Sequence, residues 1–163
     1  MIAENNDGGV LVREPCVLRD ARALLVTADG RYLMQLRDDF PHLLVPDHWG
    51  VFGGRVEDGE SPRRAIHREL FDELRFSPGQ VVWFSESAYV LPQLDVPPTQ
   101  VTFFEVPITE ADVDSMVLQE GAEMRLMSAD DLLAEPKIVP WDAYGVLLHA
   151  RRREVFRQPR QDR

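Results

Sequence analysis

Gly53-Gly54-Arg55-Val56-Glu57-Asp58-Gly59-Glu60-Ser61-Pro62-Arg63-Arg64-Ala65-Ile66-His67-Arg68-Glu69-Leu70-Phe71-Asp72-Glu73-Leu74-Arg75-Phe76 is the stretch on which the fold turns. It opens on a glycine pair, runs through an acidic loop and continues as a well-bounded helix. Ser61 suits the N-cap, Pro62 suits the first helical position, and Ile66, Leu70 and Leu74 recur every fourth residue. The spacing predicts a helix from about Pro62 to Leu74. At ~100° per residue, Glu69 and Glu73 stand one turn apart with Asp72 around the same side, while the apolar residues occupy another arc. Like charges so placed weaken an isolated helix by about 0.2–0.5 kcal/mol per pair, so the cluster is a poor structural device. A bound cation removes that objection. Magnesium takes oxygen ligands and usually keeps waters and substrate phosphates among them. The competing use of the same acids is a solvated helix face balanced by Arg64, Arg68 and Arg75.

Outward from this segment the chain alternates strand and turn signals. Cys16 to Thr27 reads as a first strand, and Asp29-Gly30 as a hairpin into a second over Arg31 to Arg37. Asp38 to Asp47, with Pro41 and Pro46, reads as a loop, and His48 to Gly54 as a short strand ending in glycines. Beyond the helix, strands are expected at Val81 to Tyr89 and Thr99 to Ile108 around a proline-rich loop, Leu91 to Pro98, with a further short strand at Ala122 to Leu126. Short helices from about Ser128 and a longer one from Trp141 to Phe156 complete the pattern. The fold class is α/β, a mixed central sheet with helices packed on it in an α/β/α sandwich.

At 163 residues the chain suits one domain spanning 1–163, with 1–14 partly disordered and 151–163 a basic tail. A hydrophobic fraction of 44% and a charged fraction of 28% exclude a disordered or fibrous class. The single cysteine, Cys16, has no internal partner, and the first residues lack the basic and apolar regions of a secretory signal, so a cytoplasmic location is expected. No apolar run approaches the length of a membrane span. The net charge is −10, and the tail from Arg151 to Arg163 holds six arginines against Glu154 and Asp162, which leaves −14 on the body. Such a body repels a nucleic-acid polymer and favours small phosphorylated partners reached through a metal.

The quoted segment resembles the Nudix (MutT-like) box, G-x5-E-x7-R-E-U-x-E-E-x-G-U with U a bulky apolar residue, and Gly54, Glu60, Arg68, Glu69, Leu70, Glu73 and Phe76 fall in register. Two positions depart from it: Asp72 replaces a glutamate, and Arg75 replaces the glycine that usually serves the turn after the helix. The resemblance implies a Nudix-type sandwich and a Mg2+-dependent, Mn2+-tolerant pyrophosphohydrolase, with homodimers common in the family. It implies that Glu69 and Glu73 are metal ligands, joined by Asp72 and the Gly54 carbonyl, with Arg68 orienting a glutamate. Relatives carry a further glutamate on a downstream loop as ligand or general base, and Glu120, preferred here over Glu123, occupies the one acidic, glycine-containing loop in a suitable place.

Arg37, at the end of the second strand, resembles a substrate-facing arginine whose fork suits phosphate. Trp49 and Phe52 flank the glycine loop as candidates to stack a base, with core packing as their competing use. The implied reaction is cleavage of a diphosphate bond in a nucleoside diphosphate derivative such as ADP-ribose, a nucleotide sugar or a modified nucleoside triphosphate. The alternative is a Nudix-fold nucleotide sensor without catalysis.

Overall fold

The computed structural model describes residues 17–155. The polar start, Cys16 and the tail beyond Val155 lie outside the described residues, as does Phe156, the expected end of the last helix. The strands are β1 (Leu18–Thr27), β2 (Tyr32–Leu36), β3 (Trp49–Gly50), β4 (Phe52–Arg55), β5 (Val82–Leu91), β6 (Val96–Ile108) and β7 (Glu123–Met127). The helices are α1 (Pro62–Leu74), α2 (Glu110–Ser115), α3 (Ala129–Ala134), α4 (Pro140–Ala150) and α5 (Arg152–Val155). Among the described residues no helix is long and apolar enough to cross a membrane.

The seven strands form one mixed sheet in the order β3-β2-β1-β6-β5, with β4 also paired to β1 and β7 to β2. Only the β1–β6 ladder is parallel. β1 is central and apolar on both faces, as a strand covered on two sides must be. Its Ala21, Ala23 and Leu25 pack with Ile66, Leu70 and Leu74 of α1, whereas Leu24 and Val26 pack with Phe103, Leu132 and Val146 under α3 and α4. Two cores on two sides of one sheet make the expected α/β/α sandwich.

Helix α1 has the predicted bounds, and its Ser61 hydroxyl accepts from the Arg64 N–H. At its end Arg75 sits in the left-handed region at φ 53°, ψ 29°. Its N–H reaches the Phe71 carbonyl at 2.9 Å, the Phe76 N–H reaches Leu70 at 3.2 Å, and its guanidinium lies 5.3 Å over the Phe71 ring. The turn that a glycine usually makes is thus made by arginine.

Four local expectations are corrected. The single strand over His48 to Gly54 is two, broken at Val51, whose N–H goes to the Asp142 carboxylate at 3.0 Å instead of a strand partner. The loop over Leu91 to Pro98 holds a 3₁₀ turn, Pro92–Leu94, and β6 already begins at Val96, with Pro97 and Pro98 preceding its ladder to β1 at Thr99. Helix α2 was not expected. It is set by a capping box in which Thr109 and Asp112 satisfy each other's backbone N–H. The long last helix breaks at Arg151 into α4 and α5, where the Arg152 guanidinium bonds the His149 carbonyl at 2.8 Å.

Replacing Arg75 tests its backbone conformation. Arg75→Gly and Arg75→Ala both lose the contact with Phe71, so their difference isolates the left-handed strain. Glycine is expected to be the more stable by about 1 kcal/mol, a gap of roughly 2–4 °C in Tm, the reverse of their order inside a helix. Thermal unfolding of the two variants checks it.

Candidate active site

Gly53 and Gly54 of β4 and one face of α1 bring Glu69 and Glu73 together. Gly53 lies at φ 122°, where a Cβ would stand 2.3 Å from the Ala21 carbonyl oxygen, so only glycine fits. Its N–H donates to Glu73 Oε2 at 2.9 Å. At Gly54 a Cβ would fall 2.4 Å from Glu69 Oε1, so the missing side chain is the space that the Glu69 carboxylate occupies. Arg68 grips Glu60 with two donors at 3.0 and 3.1 Å, reaches the Arg55 carbonyl at 2.9 Å, and donates to Glu69 Oε1 at 2.7 Å. Glu60 therefore braces the arginine that orients Glu69. Asp72, next to this pair, is solvent-exposed.

Glu73 is only 6% exposed, and that burial pushes its carboxyl up to about 8; the negative charges of Glu69 and Glu120 add to the shift, while the Gly53 N–H and Arg22 oppose it. Burial raises the Glu69 carboxyl as well, against the pull of Arg68. Burial thus shifts two neighbouring carboxyls toward their neutral forms, and a nearby cation would favour the ionised ones.

Glu120 faces the same cleft. Its loop is tied to the end of α1 by the Gln119 N–H on the Glu73 carbonyl at 2.7 Å and the Val117 N–H on the Leu74 carbonyl at 2.9 Å. It is tied to β2 by Gln35 Nε2 on the Glu120 carbonyl at 2.7 Å, and to Asp38 by the Gly121 N–H at 3.1 Å. A cavity of about 60 Å³ results, lined by Arg22, Gln35, Arg37, Glu73 and Glu120 among others. Glu123, the rejected alternative, is turned to Arg125. Arg37 lies between this cleft and a second cavity of about 160 Å³ that it lines with Asp20, Arg22, Arg55, Tyr89 and Trp141. Its Nε is buried without a hydrogen-bond partner. Burial, followed by repulsion from Arg22, lowers its pKa.

Trp49 and Phe52 are not brought to the cleft as ring faces for a base. Phe52 is wholly buried against α1, and Trp49, 6% exposed, is buried in the opposite core with Arg125 over its ring at 5.0 Å. The aromatic wall beside the cleft is instead Tyr89 stacked on Trp141, centroids 5.3 Å apart. Sequence reading also passed over Asp20, Arg22 and Asp142. The signal for the first two was present: in Asp20-Ala21-Arg22-Ala23-Leu24-Leu25 two charges alternate with apolar residues on a strand that then turns wholly apolar. A larger cavity, about 590 Å³ around Thr27, Tyr32, Glu105 and Arg152, contains none of the box acids, so chemistry and not volume locates the site.

Whether the residues suit a divalent cation is answered by the donor set. Oxygen donors such as carboxylates are the ligands that Mg2+ takes, the missing side chain of Gly54 leaves room for the Glu69 carboxylate, and a cation would favour the ionised form of both carboxyls. Among the described residues no three His, Cys, Asp or Glu side chains already form a cage.

The NUDIX domain model matches residues 17–148. The chain belongs to the Nudix hydrolase family, whose members act on nucleoside diphosphates linked to another group. Among solved structures it is similar to the MutT protein from Methanosarcina mazei Go1, with 17% identity over 87% of this chain and 98% of that one and a TM-score of 0.71. It is similar to the E. coli dihydroneopterin triphosphate pyrophosphohydrolase, at 18% over 78% and 91% with a TM-score of 0.64. It also resembles the Nudix domain of Shewanella oneidensis NrtR complexed with ADP ribose, at 14% over 88% and 90% with a TM-score of 0.62. At such identities the likeness is one of fold. Comparison with curated protein sequences gave no match.

A carboxyl whose pKa is higher folded than unfolded stabilises the fold when protonated. For Glu73 that contribution is complete below pH ~4.3 and is lost as pH rises toward about 8. In metal-free protein, Glu73→Gln should therefore raise Tm relative to wild type by a margin that grows over this window. A margin independent of pH, read by thermal unfolding in chelator, contradicts the assignment.

Proposed function

We propose that the chain is a Mg2+-dependent pyrophosphohydrolase of nucleoside diphosphate derivatives, with Mn2+ able to substitute. The observation that carries this reading is the placement of the buried Glu73 and the half-buried Glu69, both carboxyls of raised pKa, against Gly53 and Gly54 of β4 with Glu120 across the cleft. Glu69 and Glu73 would hold the ion, with Asp72 and the Gly54 carbonyl as further oxygen donors. When bound, a divalent cation supplies charge neutralisation at the diphosphate and a more acidic water.

The remaining work falls to this chain's own groups. Arg68 holds Glu69 in one rotamer through a bond at 2.7 Å while Glu60 holds Arg68. Arg37, whose Nε has no partner, donates to a phosphate oxygen. Glu120 accepts the proton of the attacking water as general base. The water oxygen bonds to phosphorus, the bridging P–O bond breaks, and the leaving phosphate takes its electron pair. A nucleoside monophosphate and a second phosphorylated product result, or pyrophosphate if a triphosphate is cut. The group beyond the diphosphate occupies the cavity walled by Tyr89 and Trp141, the role that Trp49 and Phe52 were expected to play. The acidic body supports a small nucleotide over a polymer as substrate, and a cytoplasmic setting suits such chemistry.

Release of monophosphate or pyrophosphate from ADP-ribose, nucleotide sugars, dinucleoside polyphosphates and nucleoside triphosphates, with and without Mg2+, tests the reading. Turnover by wild type should fall at least ~10²-fold in Glu73→Gln. Binding of ADP-ribose without turnover of any member would instead make the chain a ligand-binding module.

A further inference from the structure

Arg22 and Asp142 have no task in the reaction as described, although both are deeply buried. Asp142 is 2% exposed, and the Arg22 side chain is 12% exposed. We infer that Arg22 is a positioning residue for Glu73, acting through Gly53, and that Asp142 of α4 holds Arg22 in place. This inference rests on the reading of Glu73 as a site residue.

The two peptide groups flanking the Gly53 Cα are held separately. On one side the Gly53 N–H donates to Glu73 Oε2 at 2.9 Å, and on the other the Gly53 carbonyl accepts from Arg22 Nη1 at 2.5 Å. The first bond governs φ and the second ψ. Gly53 sits in β4 opposite Arg22, between the Phe52–Ala23 and Gly54–Ala21 pairs, so the ladder holds its neighbours while these two bonds set the orientation of the peptide groups on either side of its Cα. Beyond that carbonyl the chain passes to Gly54, which lies against Glu69. Arg22 therefore helps hold the peptide group that lies between the backbone contacts of the two carboxylates.

The arginine fork is itself held. Nη2 donates to Asp20 Oδ2 at 3.1 Å, and Nε faces Asp142 Oδ1 at 3.9 Å, each left without a hydrogen-bond partner. The other Asp142 oxygen accepts the Val51 N–H at 3.0 Å, the bond that separates β3 from β4. Asp20 also pairs with Arg55 at 2.9 Å. A line of contacts thus runs from α4 on one face of the sheet, through β1, to the Gly53 turn and Glu73 on the other. Stability alone gives little reason for it, because a buried charge network is commonly matched or bettered by apolar residues of similar volume. What an apolar residue lacks is a donor aimed at the Gly53 carbonyl.

The test compares Arg22→Met, which keeps bulk but removes the donors, with Arg22→Lys, which retains one, in the full chain. Steady-state kinetics per folded molecule are read beside hydrogen exchange of the Gly53 amide in glycine-labelled protein. Arg22→Met should lower kcat ~10-fold or more with KM within about twofold, since small misplacements of reacting groups cost rate and not binding. Its Gly53 amide should lose protection, and Arg22→Lys should recover most of both. Raised KM with kcat intact would make Arg22 a substrate contact and overturn the inference, as would unchanged Gly53 exchange. Should Arg22→Met fail to fold, Asp142→Asn keeps the Val51 bond and drops the charge facing Arg22. A smaller kcat loss with faster Gly53 exchange supports the inference, and neither change refutes it. If Glu73→Gln retains turnover, the reading of the site fails; if it is inactive while Arg22→Met is normal, only this inference fails.

Discussion

Burial of the Glu73 carboxyl beside the half-buried Glu69 is the constraint around which this molecule is arranged. Glu73 is almost wholly removed from water, and Glu69 lies next to it. A carboxylate in such a place is costly unless donors or cations surround it. Each neighbouring feature supplies part of that need. The Gly53 N–H serves Glu73, Arg68 serves Glu69, and the absent side chain of Gly54 leaves the volume in which the Glu69 carboxylate sits. Both carboxyls stay shifted toward their neutral forms in spite of these donors, and a bound divalent cation would favour their ionised forms.

The same constraint explains why the sheet carries charge at its centre. β1 is apolar from Ala23 to Val26, yet Asp20 and Arg22 precede that run on the face toward α4. Burial is the largest single effect on the Arg22 guanidinium and opposes its charge, but Asp142, Asp20 and Glu73 together outweigh it and leave the pKa raised. The acids on one face of the sheet and the arginine on the other meet at the Gly53 turn. Helix α4 is therefore more than a cover for the second core, because its Asp142 shapes both the strand break at Val51 and the setting of Arg22.

Sequence alone made α1 legible to the residue, because its cap, its first-turn proline and its apolar spacing are local signals. The grouping of Glu69, Glu73 and Glu120 followed from helix geometry and family resemblance together. What escaped were tertiary hydrogen bonds. The break at Val51 depends on Asp142, 91 positions away, and the role of Arg22 depends on Gly53, 31 positions away. Trp49 and Phe52 illustrate a different limit: their neighbourhood to the glycine loop was visible, but the face of the sheet to which each points was set by its pairing with β1 and β2. Arg75 shows that a departure from the family pattern can leave geometry intact, since arginine adopts the left-handed turn itself.

The central claim is that the Gly54 cradle and the Glu69 and Glu73 carboxylates form a divalent-cation site. Calorimetric titration of Mg2+ and Mn2+ into wild type and Gly54→Ala tests it most directly, since the added methyl falls where the Glu69 carboxylate now lies. The wild-type protein is expected to bind both ions, and the variant to lose at least ~10-fold in affinity with its circular dichroism unchanged. Equal affinity in the two proteins, or no binding by either, would contradict it.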